Sequence, residues 1–315
     1  MSDNNKTAFL FPGQGSQSLG MMAELAEFSP LVRKVFDQAS QALGFDLWGM
    51  CQQGPETALN QTENTQPAML AAGFATWRVW LDSGGQAPAV MAGHSLGEYT
   101  ALVAAGALSF DDAIRTVALR GRLMQIAAPE GVGAMAAVLG MDDADLAAIC
   151  EQAAGDEIVS CANFNAPGQV VIAGHRSAVE RACEAAKSAG ARRALLLPVS
   201  VPSHCLLMKP AAEELAVHLQ ELEISSPSPG VLHNADVAAY EQPDEIRDAL
   251  ARQLWQPVRW TETIRQLTAQ GISRFIECGP GRVLAGLNRR IDRAAEIHAL
   301  TDGAAFVAAM GETET

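Results

Sequence analysis

Ala87-Pro88-Ala89-Val90-Met91-Ala92-Gly93-His94-Ser95-Leu96-Gly97-Glu98-Tyr99-Thr100-Ala101-Leu102-Val103-Ala104-Ala105-Gly106 reads as a strand, a sharp turn and a helix. The apolar run leads into G-x-S-x-G, with Gly93 and Gly97 two residues to either side of Ser95. Small flanking residues let the backbone turn tightly enough to hold a hydroxyl out at the apex. The serine then stands at a helix N-terminus, where free N–H groups and the positive end of the dipole favour a developing anion. Ser95 is therefore a candidate nucleophile. The bland alternative is a glycine-flanked structural turn, because the pattern fixes only three positions.

Upstream, Thr7-Ala8-Phe9-Leu10-Phe11 is a short apolar strand ending in Pro12-Gly13-Gln14-Gly15-Ser16-Gln17. A dinucleotide fingerprint needs a third glycine, and that position holds Ser18. A loop leaving the first strand with exposed N–H groups could instead face the elbow and supply an oxyanion donor. From residue 21 to 59 the pattern mixes helix and loop. Pro67 then opens a helix over 68–81, stopped by Gly84-Gly85. Beyond the elbow, Asp111-Asp112 start a helix running to about residue 125, with acids where the dipole favours them. Arg120, Leu123 and Met124 share one face of it. An arginine there either snorkels or meets an anion, and the pattern by itself favours snorkelling.

Residues 132–139 read as a strand, 142–153 as a helix and 157–162 as a strand. A strand over 169–173, a helix over 177–189 and a closing strand over 193–199 follow. That βαββαβ order, with a turn at Asn165-Ala166-Pro167-Gly168 between its halves, is a ferredoxin-like unit. The chain re-enters the larger body at Pro202-Ser203-His204-Cys205, where a helix begins and runs towards Leu222. A short strand over 231–233, amphipathic helices over 244–254 and 261–270, and a strand over 273–278 precede the helix of Arg289 and Arg290. Strands separated by helices predict a mainly parallel sheet covered on both faces. The expected organisation is α/β, with residues 1–130 and 200–315 forming a large catalytic subdomain and 131–199 an inserted ferredoxin-like one.

A chain of 315 residues can bury a large core, and 49% hydrophobic against 18% charged residues describes a packed protein. Aromatics make up only 5%, so Ala, Leu, Val and Ile must build that core. The formal net charge of −14 has the wrong sign for a phosphate-backbone binder, which argues against nucleic acid. Cys51, Cys150, Cys161, Cys183, Cys205 and Cys278 lie far apart without a C-x-x-C pair, against both a zinc site and a disulfide framework. No apolar stretch approaches the ~18 residues of a membrane span, and Met1–Lys6 shows no signal-peptide pattern. A soluble cytoplasmic protein with reduced thiols is expected.

A serine hydroxyl needs a base, and neutral imidazole is the usual one. The candidates are His94, His175, His204, His218, His233 and His298. His94 neighbours the serine, and adjacent residues on such a turn point apart. His175 sits at a domain-edge turn, His218 late in a helix facing solvent, and His233 and His298 follow short strands. His204 opens a helix where the small subdomain hands back to the large one, and clefts form at such junctions. It ranks first. No acid between Ser95 and His204 sits at the end of a core strand, so a dyad oriented by a backbone carbonyl is plausible in place of a triad.

Six blocks now fall into place: Phe11-Pro12-Gly13-Gln14-Gly15-Ser16-Gln17, Gly93-His94-Ser95-Leu96-Gly97-Glu98-Tyr99, Arg120-Gly121, Val199-Ser200-Val201-Pro202-Ser203-His204, Gln253-Leu254-Trp255-Gln256-Pro257-Val258 and Glu277-Cys278-Gly279-Pro280-Gly281. In order and separation they resemble the malonyl-CoA:acyl-carrier-protein transacylases of bacterial fatty-acid synthesis, over essentially the whole chain. The resemblance implies an α/β-hydrolase-like large subdomain with the inserted ferredoxin-like one. It implies Ser95 as nucleophile, His204 as general base and acid, and the main-chain carbonyl of Gln253 as the group holding the imidazole. The N–H groups of Gln14 and Leu96 would form the oxyanion hole. Arg120 would bind the malonyl carboxylate, which a guanidinium fork meets with two parallel charge-assisted bonds.

The same resemblance implies a ping-pong transfer from malonyl-CoA to the phosphopantetheine thiol of acyl carrier protein, without cofactor or metal, by a monomer. That carrier is acidic, like this chain, so docking needs local positive charge. Arg282, Arg289, Arg290 and Lys209 are candidates, each set against an ordinary solvated surface.

Overall fold

The apolar run Thr7–Phe11 forms β1 of the computed structural model, which describes residues 6–129, 131–199 and 201–311. Alternate side chains of a strand face opposite ways, and here both faces are covered. Ala8 and Leu10 pack with Trp260, Ile264 and Phe275, while Phe9 and Phe11 pack with Met91, Trp77 and Ile276 on the other side. Trp77 and Trp80 both meet the Phe9 ring edge-on, with centroids 5.3 and 5.2 Å away. β2 (Val90–Gly93) runs parallel beside β1, with Ala8 opposite Val90 and Phe11 opposite Gly93.

The chain then leaves this sheet for a second one. β3 (Gly133–Leu139), β4 (Val159–Ala166), β5 (Gln169–His175) and β6 (Arg193–Leu196) pair antiparallel in the order β4-β5-β3-β6. Helices Asp143–Ala154 and Arg176–Ser188 fill the gaps in chain order, and Ala136, Val138, Leu146, Ile172 and Val179 share a core separate from the first sheet's. This is the ferredoxin-like order. Glu130 and Ser200, at the expected subdomain boundaries, and the first five residues lie outside the described residues.

β7 (Gly230–His233), β8 (Ala238–Ala239), β9 (Arg274–Glu277) and β10 (Glu296–Ala299) return to the large sheet. Its order is β10-β9-β1-β2-β7-β8, parallel throughout except at the β7–β8 pair. The α/β class with a parallel sheet and a separate antiparallel one is thus as expected. The two sheets are stitched together at the end of β4. Val258 N donates to Ala162 O, Phe164 N to Val258 O, both at 2.9 Å, and Thr261 Oγ1 to Phe164 O at 3.0 Å.

Two expectations need correction. The helix expected over 68–81 runs Thr62–Asp82, so Pro67 lies inside it. Proline is excluded from helix interiors because it lacks an N–H and crowds the preceding turn. Here Thr65 Oγ1 bonds Leu59 O at 2.6 Å, and Thr62, Thr65, Gln66 and Pro67 are all buried. Tertiary packing therefore outweighs the local preference. His298 does not follow a strand: it lies within β10, where Nε2 is 2.6 Å from Glu296 Oε1. All six cysteines are buried and unbridged, and no helix among the described residues is long and apolar enough to cross a membrane.

Candidate active site

Ser95 has φ +52°, in the left-handed region that costs an L-residue roughly 1–2 kcal/mol. The turn is as tight as its glycines suggest. A Cβ on Gly93 would lie 1.9 Å from the Gly97 carbonyl carbon, and one on Gly97 would lie 2.0 Å from Phe11 O. β1, β2 and the helix Gly97–Ala104 thus meet where no side chain fits. The hydroxyl projects from this apex, and Leu96 stands at the helix N-cap beside it.

His204 reaches Ser95 from the far side of the cleft. Its Nε2 lies 2.7 Å from Ser95 Oγ, and its Nδ1 lies 2.8 Å from the main-chain oxygen of Gln253. A carbonyl only accepts, so Nδ1 carries the proton and Nε2 is left with its lone pair towards the serine. The tautomer is fixed by the backbone. His204 is itself left-handed, φ +62°, with its N–H donated to Leu254 O at 2.9 Å. Burial, followed by the nearby charge of Arg120, pushes its pKa down to about 3. The imidazole is therefore neutral at physiological pH.

Arg120 comes from the helix Phe110–Ala127, capped at Ser109, whose Oγ accepts from Asp112 N at 3.1 Å. Its side chain is almost wholly buried, and it does not snorkel. Nη1 donates to Gln66 Oε1 at 2.8 Å, and Nη2 to Gln253 Oε1 at 2.9 Å. Nη2 also lies 3.3 Å from Ser95 Oγ, and the guanidinium sits over the Tyr99 ring at 5.6 Å. Among the described residues no carboxylate lies within ion-pair distance of it. A buried cation whose hydrogen bonds all go to neutral groups, with the charge of Glu98 acting only from beyond ion-pair distance, is costly unless an anion arrives.

These groups border a cavity of about 560 Å³ between the two subdomains. The loop after β1 forms one wall with Gly13, Gln14 and Gly15, and Ser95 with Leu96 forms the floor. A Cβ on Gly13 would lie 2.4 Å from His94 O, so the loop presses directly onto the elbow. Met135, Asn163, Asn165, Val171 and Leu197 bring the small subdomain to the opposite wall. Val283, Leu284 and Leu287 of the helix Val283–Ile291 complete it, and that helix carries exposed Arg289 and Arg290 with Arg282 at its N-cap. Lys209 is exposed elsewhere, 6.0 Å from the Trp255 ring centre.

The remaining histidines have other partners. His94 lines the cavity and meets Asn165 Oδ1 at 2.8 Å through Nε2. His175 Nδ1 accepts from Ile158 N at 2.9 Å. His218 is half-buried against Thr116 Oγ1 at 3.0 Å, and so is not the solvent-facing residue its place late in a helix suggested. His233 is buried with Nδ1 2.7 Å from Glu98 Oε1.

Sequence reasoning missed Gln66, Asn234, Glu98 and the side chain of Gln253. Gln66 is hidden by the proline after it, which displaces the expected helix start. Gln253 acts twice: its carbonyl meets His204, while its amide bonds Arg120 and donates through Nε2 to Ser95 O at 2.9 Å. Asn234 lies in no sequence pattern, and Glu98, although inside the Gly93–Tyr99 block, has no role assigned to it there. Only their burial, visible in three dimensions, marks them.

Comparison with known proteins follows the same outline. A family model described as the acyl transferase domain matches residues 8–301. The malonyl CoA-acyl carrier protein transacylase of Escherichia coli K12 is 56% identical over 303 residues, covering 96% of this chain and 98% of that one. The Bacillus subtilis protein of the same name is 45% identical over 299 residues, covering 95% and 94%. The solved transacylase of Coxiella burnetii superposes with a TM-score of 0.96 at 52% identity over 96% of both chains. A malonyl-transacylase solved in complex with its type II polyketide synthase acyl-carrier protein gives 0.95 at 55% identity, covering 96% and 98%.

Proposed function

The chain belongs to the acyl transferase family of malonyl CoA-acyl carrier protein transacylases, and on that premise we propose how its residues move a malonyl group from malonyl-CoA to the phosphopantetheine thiol of an acyl carrier protein in fatty-acid synthesis. Ser95 Oγ attacks the thioester carbonyl and its proton passes to Nε2 of His204. The oxyanion that forms is met by the N–H groups of Gln14 and Leu96. Collapse breaks the carbon–sulfur bond, the imidazolium returns its proton to the leaving thiolate, and a malonyl-Ser95 ester remains. The carrier's thiol then attacks that ester with His204 as base again, releasing Ser95. Gln253 O holds the imidazole throughout.

Arg120 carries this reading over its rivals. A serine hydrolase needs the elbow and the base but has no use for a buried guanidinium that makes no ion pair among the described residues and lies 3.3 Å from the nucleophile. An acyl group ending in a carboxylate fits that position. One without it leaves the cation unpaired at a cost of several kcal/mol, roughly the scale for an uncompensated buried charge. In this reading the working unit is a monomer. Its buried, unbridged cysteines suit the cytoplasm.

Brief exposure to malonyl-CoA followed by intact mass spectrometry tests the reading. The expected result is a persistent malonyl adduct on Ser95, absent in Ser95→Ala and discharged by a carrier thiol faster than by water. Arg120→Ala should lower malonyl loading by about a hundredfold or more and favour acetyl over malonyl relative to wild type. Rapid release of free malonate without a carrier would make the protein a hydrolase, and unchanged selectivity in Arg120→Ala would place the carboxylate elsewhere.

A further inference from the structure

Beneath the elbow lies a buried polar cluster that the transfer mechanism leaves unused. The Asn234 side chain bridges the turn: Ser95 N donates to Oδ1 at 2.6 Å, and Nδ2 donates to Gly93 O at 2.6 Å. An N–H can only donate and a carbonyl can only accept, so the amide has one orientation that satisfies both. Asn234 N in turn donates to Glu98 Oε2 at 2.8 Å, and Glu98 Oε1 lies 2.7 Å from His233 Nδ1. Asn234, Glu98 and His233 are each at most 1% exposed. The side-chain oxygens and nitrogen of Asn234 and Glu98 are all bonded, which specifies one geometry at the turn, while His233 Nε2 is buried without a partner.

The same turn reaches the base. Val237 closes it in the left-handed region, φ +55°, with its N–H donated to His233 O at 2.9 Å. Asp236 takes both Nη1 and Nη2 of Arg252 at 2.8 Å. Arg252 directly precedes Gln253, whose carbonyl holds His204. Residues 233–237 therefore touch the serine's turn on one side and the residue preceding the histidine's anchor on the other.

We propose that Asn234 is a positioning residue for the acyl transfer: with its backbone N–H held by Glu98, its side chain locks the left-handed turn at Ser95 so that Oγ points at His204 Nε2. By occupying Ser95 N it also leaves the oxyanion to other donors. The inference rests on the transfer reading only for its substrate, because the locked geometry governs any attack by Ser95.

Rapid-quench measurement of malonyl-Ser95 across malonyl-CoA concentrations reads the effect, with fluorophosphonate labelling of Ser95 beside it. Asn234→Ala should lower the limiting acylation rate roughly 10- to 100-fold, the scale of a misplaced reacting group. The half-saturating concentration should change less than about twofold, since Arg120 is untouched, and the labelling should slow in parallel. Asn234→Asp keeps the acceptor for Ser95 N but sets an oxygen against Gly93 O. It should be slow at pH 8 and regain rate towards pH 6, where a neutral carboxyl again donates to that carbonyl. A wild-type limiting rate in both variants overturns the proposal. So does a loss confined to the amount of acyl-enzyme formed at an unchanged rate, which reports only a smaller folded fraction. Should the wild-type enzyme fail to take up malonate, the transfer reading fails alone, and the fluorophosphonate rates still decide the role of Asn234.

Discussion

At the residue scale, the dyad is defined by what each imidazole nitrogen can do. The carbonyl of Gln253 dictates the tautomer, and burial with Arg120 nearby holds the pKa near 3, well below the ordinary ~6.5. Protonation of His204 therefore cannot limit the free enzyme near neutrality. Malonylation at limiting malonyl-CoA, whose rate reports the free enzyme, is expected to keep its neutral value from pH 8 down to about pH 5. A midpoint near 6.5 would contradict the assignment. The stability consequence has a definite sign. Below about pH 6.5 the unfolded chain takes up a proton at this residue and the folded one does not, so folding stability falls as the pH drops. His204→Asn should flatten that dependence between pH 6.5 and 5 in urea titrations. Ser95 and His204 were legible beforehand because a glycine-framed serine and a histidine at a subdomain junction are local signals. Gln66 and Asn234 were not, because their partners lie 54 and 139 positions away in sequence.

At the element scale, glycine marks where strands, loop and helix come closest. Gly97 and Gly286 make opposite predictions. A methyl on Gly97 meets the Phe11 backbone, which cannot move aside, so Gly97→Ala should lower stability by about 1–3 kcal/mol or more. Gly286 lies exposed in the helix Val283–Ile291 with nothing within 4 Å of its added Cβ. Gly286→Ala should raise stability by about 0.5–1 kcal/mol. Denaturant midpoints of the two variants check both signs. Apolar runs made β1, β2 and β9 readable, since strands covered on both faces need them. β10, Glu296-Ile297-His298-Ala299, is an edge strand without a fully buried residue, so the sequence marks a short strand before His298 but not where it ends. The start of the Thr62–Asp82 helix is not legible in sequence, because burial of Thr62, Thr65, Gln66 and Pro67 outweighs the local preference of proline.

At the scale of the molecule, an enzyme of net charge −14 must present a carrier with a docking face. The helix Val283–Ile291 turns apolar Leu284 and Leu287 to the cavity and presents Arg289 and Arg290 outside. Reversing both charges, Arg289→Glu with Arg290→Glu, should raise the half-saturating carrier concentration up to about tenfold and leave malonylation by malonyl-CoA unchanged. An unaltered carrier dependence would move the docking face elsewhere. The arrangement of sheets was open to pattern reading, whereas the surface that meets a partner was not, because exposed arginines look alike in sequence. One consequence follows from the charge next to the base. In the empty enzyme Arg120 is, after burial, the largest cause of His204's weak basicity. A carboxylate settling on the guanidinium cancels much of that field and strengthens the imidazole. Malonyl therefore makes His204 a stronger base on arrival, and acetyl, which brings no carboxylate, does not. Malonyl and acetyl thioesters are then told apart by timing as well as by grip.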